Sequence, residues 1–276
     1  MEKSLEPSPQ NPRNKKRKPL GPSKVEAKKK RKQKQRETTN GSRSSDGGDQ
    51  SNNEPQPASA ATQLRFLLDQ FQYANGVNLS SLELESIKDA CILELSQDAD
   101  KDVNSLGKHL KGAFGSSWKE VLCGKQLVEG KVDPGSPAVL IISPSALRSI
   151  ELLKGLQSLT KECHAAKLFS KHIKVEEQVS LLKNRVNIAS GTPSRIKKLI
   201  DIEALGLSRL GVIVFDIRPD VKGYSLFTLP QVSDEFWDLY KNYFHQRLLE
   251  GFVRVCLYGQ IPNGNELQGK KRSHCD

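Results

Sequence analysis

Nowhere in the 276-residue chain does an apolar run approach the roughly 18–20 residues that cross a membrane, and the first residues lack the apolar core of a secretory signal. No membrane partner is expected, and the reading is a soluble protein retained inside the cell. The five cysteines, Cys91, Cys123, Cys163, Cys256 and Cys275, are odd in number, widely spaced and without a C-x-x-C pair. That excludes a disulfide scaffold and leaves reduced thiols, mostly in the core, as the expectation. Cys163, His164 and His172 could each ligate a metal, but a zinc site needs four convergent ligands and no fourth lies near them in sequence. The five histidines form no H-E-x-x-H pattern and no serine sits in G-x-S-x-G, so zinc-hydrolase and serine-hydrolase chemistry have no sequence basis.

What is present is an uneven distribution of charge. Residues 1–60 hold fifteen Lys/Arg against seven Asp/Glu, so this stretch carries most of the formal net charge of +11. It has no periodic apolar pattern and is filled with Lys, Ser, Asn, Gln, Pro and Gly. Such a composition buries too little surface to offset the entropy of ordering, so a disordered basic tail is expected over 1–60. Within it, Lys15, Lys16, Arg17 and Lys18 are separated by a nine-residue spacer from Lys28, Lys29, Lys30, Arg31 and Lys32. Two basic clusters so spaced have the form of a bipartite nuclear import signal, which implies an import carrier as a partner. The same lysines suit RNA or DNA phosphates through counterion release, without sequence preference. A solubilising role alone remains open for them. A short basic tail, 261–276, repeats the theme with Lys270, Lys271 and Arg272.

From Ala61 onward apolar residues recur at regular spacing. "TQLRFLLDQF" puts Leu64, Leu67, Leu68 and Phe71 on one helical stripe, with "NGVN" as a stop. Ser80 and Glu83 have capping-box spacing and predict a second helix running through Ile87, Cys91 and Leu95. A third is predicted from Val103 to about Val121, so 61–135 reads as a helical segment. After "VDPGSP" the pattern changes to short apolar runs alternating with helical stripes: "AVLII" (138–142), "AKLFS" (166–170), "RVNIA" (185–189), "LGVIVFDI" (210–217) and "FVRVCLY" (252–258). Five strands alternating with helices over 136–260 predict an α/β fold with a small parallel, doubly wound sheet.

Two strand-to-helix turns are built alike. Ser143-Pro144 and Thr192-Pro193 each offer a hydroxyl cap followed by proline at the first helical position, where its missing donor costs nothing. This serves the fold with or without a ligand. Carboxyl ends of strands are nevertheless where open α/β sheets bind, and free amides with the helix dipole favour an anion there. Gly191 allows close backbone approach, and Arg195, Lys197 and Lys198 add positive charge.

These segments resemble a known family. "IISPSALRSIELLK" is similar to the "xxPTRELAxQ" segment of DEAD-box RNA helicases, "IASGTPSRIKKLI" resembles their "xxATPGRLxDL", and "LGVIVFD" stands where they have "xxLVLDEAD". The resemblance covers about residues 136–218 and implies a degenerate first RecA-like domain, P-loop-NTPase-like in fold. It also implies that the first two segments face an RNA backbone, with Ser143, Ser145, Arg148, Gly191, Thr192, Ser194 and Arg195 as the candidate contacts. With "KLFSKHIKVEEQVSLL" included, the chain more closely resembles the nuclear, pre-ribosome-associated CMS family of short helicase-like proteins.

The departures bear on catalysis. ATP hydrolysis on this fold needs a G-x-x-x-x-G-K-[ST] loop, and "GAFGSSWKE" (112–120) has neither its spacing nor its ending. Asp216 matches the first aspartate of Asp-Glu-Ala-Asp, but Ile217 replaces the glutamate and Pro219 the last aspartate. Asp216 is expected to hydrogen-bond the adjoining loop rather than hold a metal. No Ser-Ala-Thr motif follows, and a second RecA-like domain is not expected. No enzyme activity and no cofactor are therefore expected. The reading is a nuclear, nucleolar RNA-associated factor of ribosome biogenesis, with pre-rRNA and pre-ribosomal proteins as partners. The alternatives are a nuclear protein-interaction scaffold, or a factor linked to DNA replication, whose folded domain leaves RNA untouched.

Overall fold

The structure, a computed structural model, describes residues 58–95, 103–127 and 130–261. Both basic clusters of the first sixty residues and the basic run near the C-terminus lie outside the described residues.

The chain enters through α1 (Ala60–Asn75), capped by Ser59, whose side chain accepts from the Thr62 amide, and closed by Gly76 in the left-handed region at φ 60°. Its buried stripe contains the expected Leu64, Leu67, Leu68 and Phe71. The helix α2 (Ser81–Ser86) has the expected capping box: Ser80 accepts from the Glu83 amide, and the Glu83 carboxylate accepts from the Ser80 amide at 2.8 Å. Its expected continuation through Leu95 does not occur. Ile87 is extended, a 3-10 turn spans Asp89–Cys91, and Ile92 forms a parallel bridge to Val255. The Leu93 amide donates to Val255 O at 2.8 Å. Ile87, Cys91 and Ile92 are buried, so these apolar positions are satisfied at a sheet edge. An edge backbone acceptor there competes with helix propagation.

The third helix, α3 (Val103–Ala113), is also shorter than expected. Gly115, at φ 54°, interrupts it, and a 3-10 turn (Gly115–Ser117) and a π turn (Lys119–Cys123) follow.

Among the described residues the sheet has five strands: β1 (Val139–Ile142), β2 (Ala166–Leu168), β3 (Ile188–Gly191), β4 (Val212–Asp216) and β5 (Arg254–Tyr258). Their order is β2-β3-β1-β4-β5, all parallel, with Val139 opposite both Ile188 and Val212, and Val212 opposite Arg254. The strand expected at 185–189 begins three residues later, because Asn187 sits at its mouth as a connector. Asn187 O accepts from the Ala138 and Val139 amides, and its side chain donates to Gly124 O at 2.7 Å.

Strand residues alternate between two cores, as the two-residue period demands. Leu140, Ile142, Ile213 and Phe215 pack on one face with α1, α6 (Pro193–Asp201), α7 (Val232–Leu239) and α8 (His245–Leu249). Phe215 and Phe236 meet there edge-on at 5.0 Å. Val139, Ile141, Val212, Val214 and Tyr258 pack on the other face with α3 and α4 (Ala146–Gly155). A fully buried strand side chain of this size contributes about 1.5–3 kcal/mol, so both helical layers are bound to the sheet by the same term. The first helices thus share the cores of the sheet.

Connections moving toward β2 pass over the α4 face. Those moving toward β5, through α5 (Val175–Leu182), α6 and α7, pass over the opposite face, as right-handed crossovers require. The helices after β1 and β4 therefore diverge to opposite faces, and the carboxyl ends of those two strands form the switch point at which open α/β sheets place their crevice. No helix among the described residues is long and apolar enough to cross a membrane.

Candidate functional site

The β1 turn is held by hydrogen bonds that draw it into the sheet. Ser143 is fully buried; its amide donates to Gly191 O at 3.0 Å, and its hydroxyl lies 2.6 Å from the Ser149 hydroxyl. The cap expected at Ser143-Pro144 is therefore displaced by two residues. Ser145, extended at φ −153°, caps α4 by accepting from the Arg148 amide at 3.3 Å.

The β3 turn has the expected arrangement, with Thr192 at the N-cap and Pro193 at the first helical position. The Thr192 hydroxyl makes no capping bond; its amide donates to Leu168 O at 3.0 Å. Gly191 is explained by the same approach, since a Cβ there would land on the Leu168 carbonyl. Its role in this structure is the close packing of β3 on β2.

Of the two arginines expected to face RNA, neither has a free guanidinium. Arg195 donates from Nη1 to Ile173 O at 3.1 Å and to Gln178 Oε1 at 2.7 Å. Arg148 spans the crevice from the start of α4 to the end of β4, donating to both carboxylate oxygens of Asp216 at 2.9 Å. Its remaining Nη1 donates to Glu151 at 2.7 Å. Burial disfavours the charged guanidinium, but the bonds and charge of Asp216 and Glu151 outweigh it and raise the Arg148 pKa above the usual arginine value. Ser194 and Lys198 are exposed, while Lys197 pairs with Asp201 at 3.1 Å and Asp238 at 3.6 Å.

Asp216 is the centre of this arrangement and is fully buried. Beyond Arg148 it accepts from Arg218 Nε at 3.3 Å. The expected bond between Asp216 and its adjoining loop is present at Arg218, but its main partner is an arginine 68 positions away. A carboxylate clamped by two guanidiniums has little capacity left for a divalent cation or an attacking water. Among the described residues no group of three or more His, Cys, Asp or Glu side chains is placed to hold a metal ion.

Sequence reasoning missed Glu151, Gln178, Arg218 and Tyr258. Glu151 was findable, lying one turn after Arg148. Nothing in the order of residues marks the others. Arg218 stacks over the Tyr258 ring at 4.5 Å, a contact created by the pairing of β4 with β5. Gly259 permits it, since a Cβ there would press on the backbone and side chain of Arg218.

Protein CMSS1 of Homo sapiens is 32% identical over 190 residues, covering 67% of this chain and 63% of the human protein. Protein CMS1 of Chaetomium thermophilum is 36% identical over 146 residues, covering 51% of this chain and 55% of its own length. The chain thus spans between about half and two-thirds of these relatives. Among solved structures, a Dbp5 variant of S. cerevisiae bound to RNA and ADP BeF3 aligns with a TM-score of 0.41 at 12% identity, over 74% of this chain and 46% of that one. The family described as CMS1, U3-containing 90S pre-ribosomal complex subunit, matches residues 9–258, and the chain belongs to it.

Proposed function

We propose that this chain is a non-catalytic, RNA-associated subunit of an early pre-ribosomal particle, imported into the nucleus and concentrated in the nucleolus. The observation that carries the non-catalytic part is the saturation of Asp216 by Arg148 and Arg218. The carboxylate that resembles the first aspartate of a helicase is neutralised by the chain's own cations, and its neighbour Ile217 is buried and apolar. The description of the family supports the particle.

The internal bonds of Arg148 and Arg195 shift the RNA grip toward the basic tail, with Thr192, Ser194 and Lys198 the remaining candidates on the folded part. Pre-rRNA and pre-ribosomal proteins are the partners this reading requires, and an import carrier recognises the two basic clusters. The same bonds favour a second reading, in which the sheet is a protein-docking scaffold and only the tail meets RNA.

Crosslinking in cells with sequencing of bound RNA, for the full chain and for a chain lacking residues 1–57, tests both. Pre-rRNA crosslinks are expected with the full chain. Crosslinks that persist without the tail place a contact on the folded part, and their complete loss favours the scaffold reading. Absence of both RNA crosslinks and co-sedimentation with pre-ribosomal particles sinks the proposal.

A further inference from the structure

The cluster around Asp216 contains more donors than it uses. Asp216 occupies Nε and Nη2 of Arg148 and Nε of Arg218. It therefore acts as an internal clamp that fixes both guanidiniums, each with one amino edge directed away from it. Those two edges meet on a single side chain, Glu151. Arg148 Nη1 reaches it at 2.7 Å, while Arg218 Nη2 stops 3.6 Å away. Among the described residues, Arg218 Nη2 is buried without a hydrogen-bond partner, and so is the hydroxyl of Tyr258, the residue whose ring lies under Arg218. Tyr258 is itself fully buried.

Two orphaned donors beside a clamped pair of guanidiniums are costly unless something accepts from them. The Glu151 carboxylate is a poor acceptor for this set. It is planar, satisfies one donor of three, and is half exposed at 49%, so its ion pairs are worth little. With Glu151 turned outward, Arg148, Arg218 and Asp216 leave one net positive charge and three donors on different side chains. A tetrahedral oxyanion, with acceptors in several directions, suits such a set better than a carboxylate does.

We propose that Arg148, Arg218 and Tyr258 form a binding site for one phosphate group, which Glu151 occludes in the unliganded protein. Asp216 is its positioning residue. The site lies across the β1–β4 crevice and does not depend on the turns at Thr192 or on the tail. It therefore does not rest on RNA being held by the tail or by the Thr192 turn.

The test uses the full chain in every case, so phosphate bound by the tail is common to all variants. Orthophosphate is titrated by calorimetry, at ionic strength matched with chloride, into wild type, Glu151→Gln, Glu151→Gln/Tyr258→Phe and Glu151→Gln/Arg218→Gln. Removing the competing carboxylate is expected to tighten orthophosphate binding about tenfold, because a like charge no longer opposes the anion. Each second substitution is expected to reverse the gain, Arg218→Gln completely and Tyr258→Phe severalfold. Saturating orthophosphate should also raise the melting temperature of Glu151→Gln more than that of wild type.

Equal affinity of wild type and Glu151→Gln overturns the site, as does a gain that survives Arg218→Gln. A hexaribonucleotide with or without a 5′-phosphate separates the sources. A gain in Glu151→Gln seen only with the 5′-phosphate assigns the site to an RNA end, and one confined to orthophosphate assigns it to the free ion.

Discussion

Arg195 Nη1 and Gln178 Oε1 are 2.7 Å apart, and this bond orients the Gln178 amide so that its Nε2 donates to Lys167 O at 2.7 Å and Phe169 O at 3.1 Å. β2 is an edge strand. Its outward carbonyls are thus met by a buried glutamine that an arginine on α6 holds in place, which blunts an edge otherwise open to another strand.

Gln178→Leu should therefore leave the carbonyls of Lys167 in β2 and Phe169 just after it unmet, and remove one of the two acceptors of Arg195. The expected cost is about 1–3 kcal/mol in urea denaturation. Hydrogen exchange should accelerate in β2 and the following loop while β4 stays protected, and the variant should self-associate with rising concentration. Uniform exchange across the sheet would contradict this assignment.

Because Arg195 is bonded internally, Arg195→Ala should leave the salt dependence of RNA binding unchanged. Neutralising Lys28, Lys29, Lys30, Arg31 and Lys32 should flatten it, by about 0.7 in the logarithmic slope for each phosphate that the tail ceases to neutralise. Binding measured between low and moderate salt checks both. A flatter slope in Arg195→Ala would return that arginine to the RNA surface.

The Arg148–Asp216 pair predicts strong non-additivity. Arg148→Met leaves a buried carboxylate with Arg218 as its remaining cation, and should cost about 3–5 kcal/mol. The double variant Arg148→Met/Asp216→Leu should recover part of that loss, because the buried carboxylate is gone and Arg218 keeps Glu151 as a counter-charge at 3.6 Å. A double-mutant cycle read by chemical denaturation gives the coupling. Additive losses would mean that the pair is energetically independent.

Two glycines should respond in opposite senses. Gly191→Ala forces a methyl onto the Leu168 carbonyl, and should destabilise by roughly 1–3 kcal/mol through displacement of β2. Gly112→Ala meets nothing within 4 Å among the described residues and sits in a helix, so it should stabilise by about 0.5–1 kcal/mol. Melting temperatures of the two variants decide this.

His245 supplies a pH dependence. Its ring stacks on Phe71 at 4.6 Å and its Nδ1 lies 3.3 Å from the Tyr240 hydroxyl. Burial lowers its pKa below the ordinary 6.5, with the charge of Glu83 opposing that shift. Above 6.5 the imidazole is neutral in both folded and unfolded chains, and its contribution to stability is fully present. As pH falls from 6.5 toward the lower folded-state value, the unfolded chain takes up a proton that the folded chain resists, and stability declines. Melting temperatures between pH 8 and pH 5 should show this loss, and His245→Gln should reduce it.

Much of the architecture was legible because it follows from short-range patterns. The run at 138–142 has no polar residue to turn toward water, so it reads as a strand covered on both faces, and β1 is buried throughout. The stripe of α1 and the box at Ser80 and Glu83 are properties of neighbours three or four positions apart. The errors arose where a distant backbone group prevailed over the local pattern. Val255 O drew the chain out of helix after Ser86, and Gly191 O and Ser149 drew Ser143 into the sheet and moved the cap to Ser145.

The candidate contacts were legible as residue types and not as roles. A serine or arginine at a strand-to-helix turn can cap, brace or bind, and the neighbours that decide among these are remote in sequence. Arg148 and Asp216 are 68 positions apart, and Arg195 and Gln178 are 17 apart.

The sequence by itself determined the parallel α/β class, the helices and strands with strong periodicity, the family, and the concentration of positive charge in the first sixty residues. These depend on composition and on spacing within a few residues. Only the tertiary structure decided that Arg148 and Arg195 turn inward, that Asp216 is clamped, and that Tyr258 lies beneath Arg218. The partner of a charged side chain is set by strand order, which brings β1, β4 and β5 side by side. Once water is excluded there, a charge must find its counterpart in the fold, and no local pattern names that counterpart.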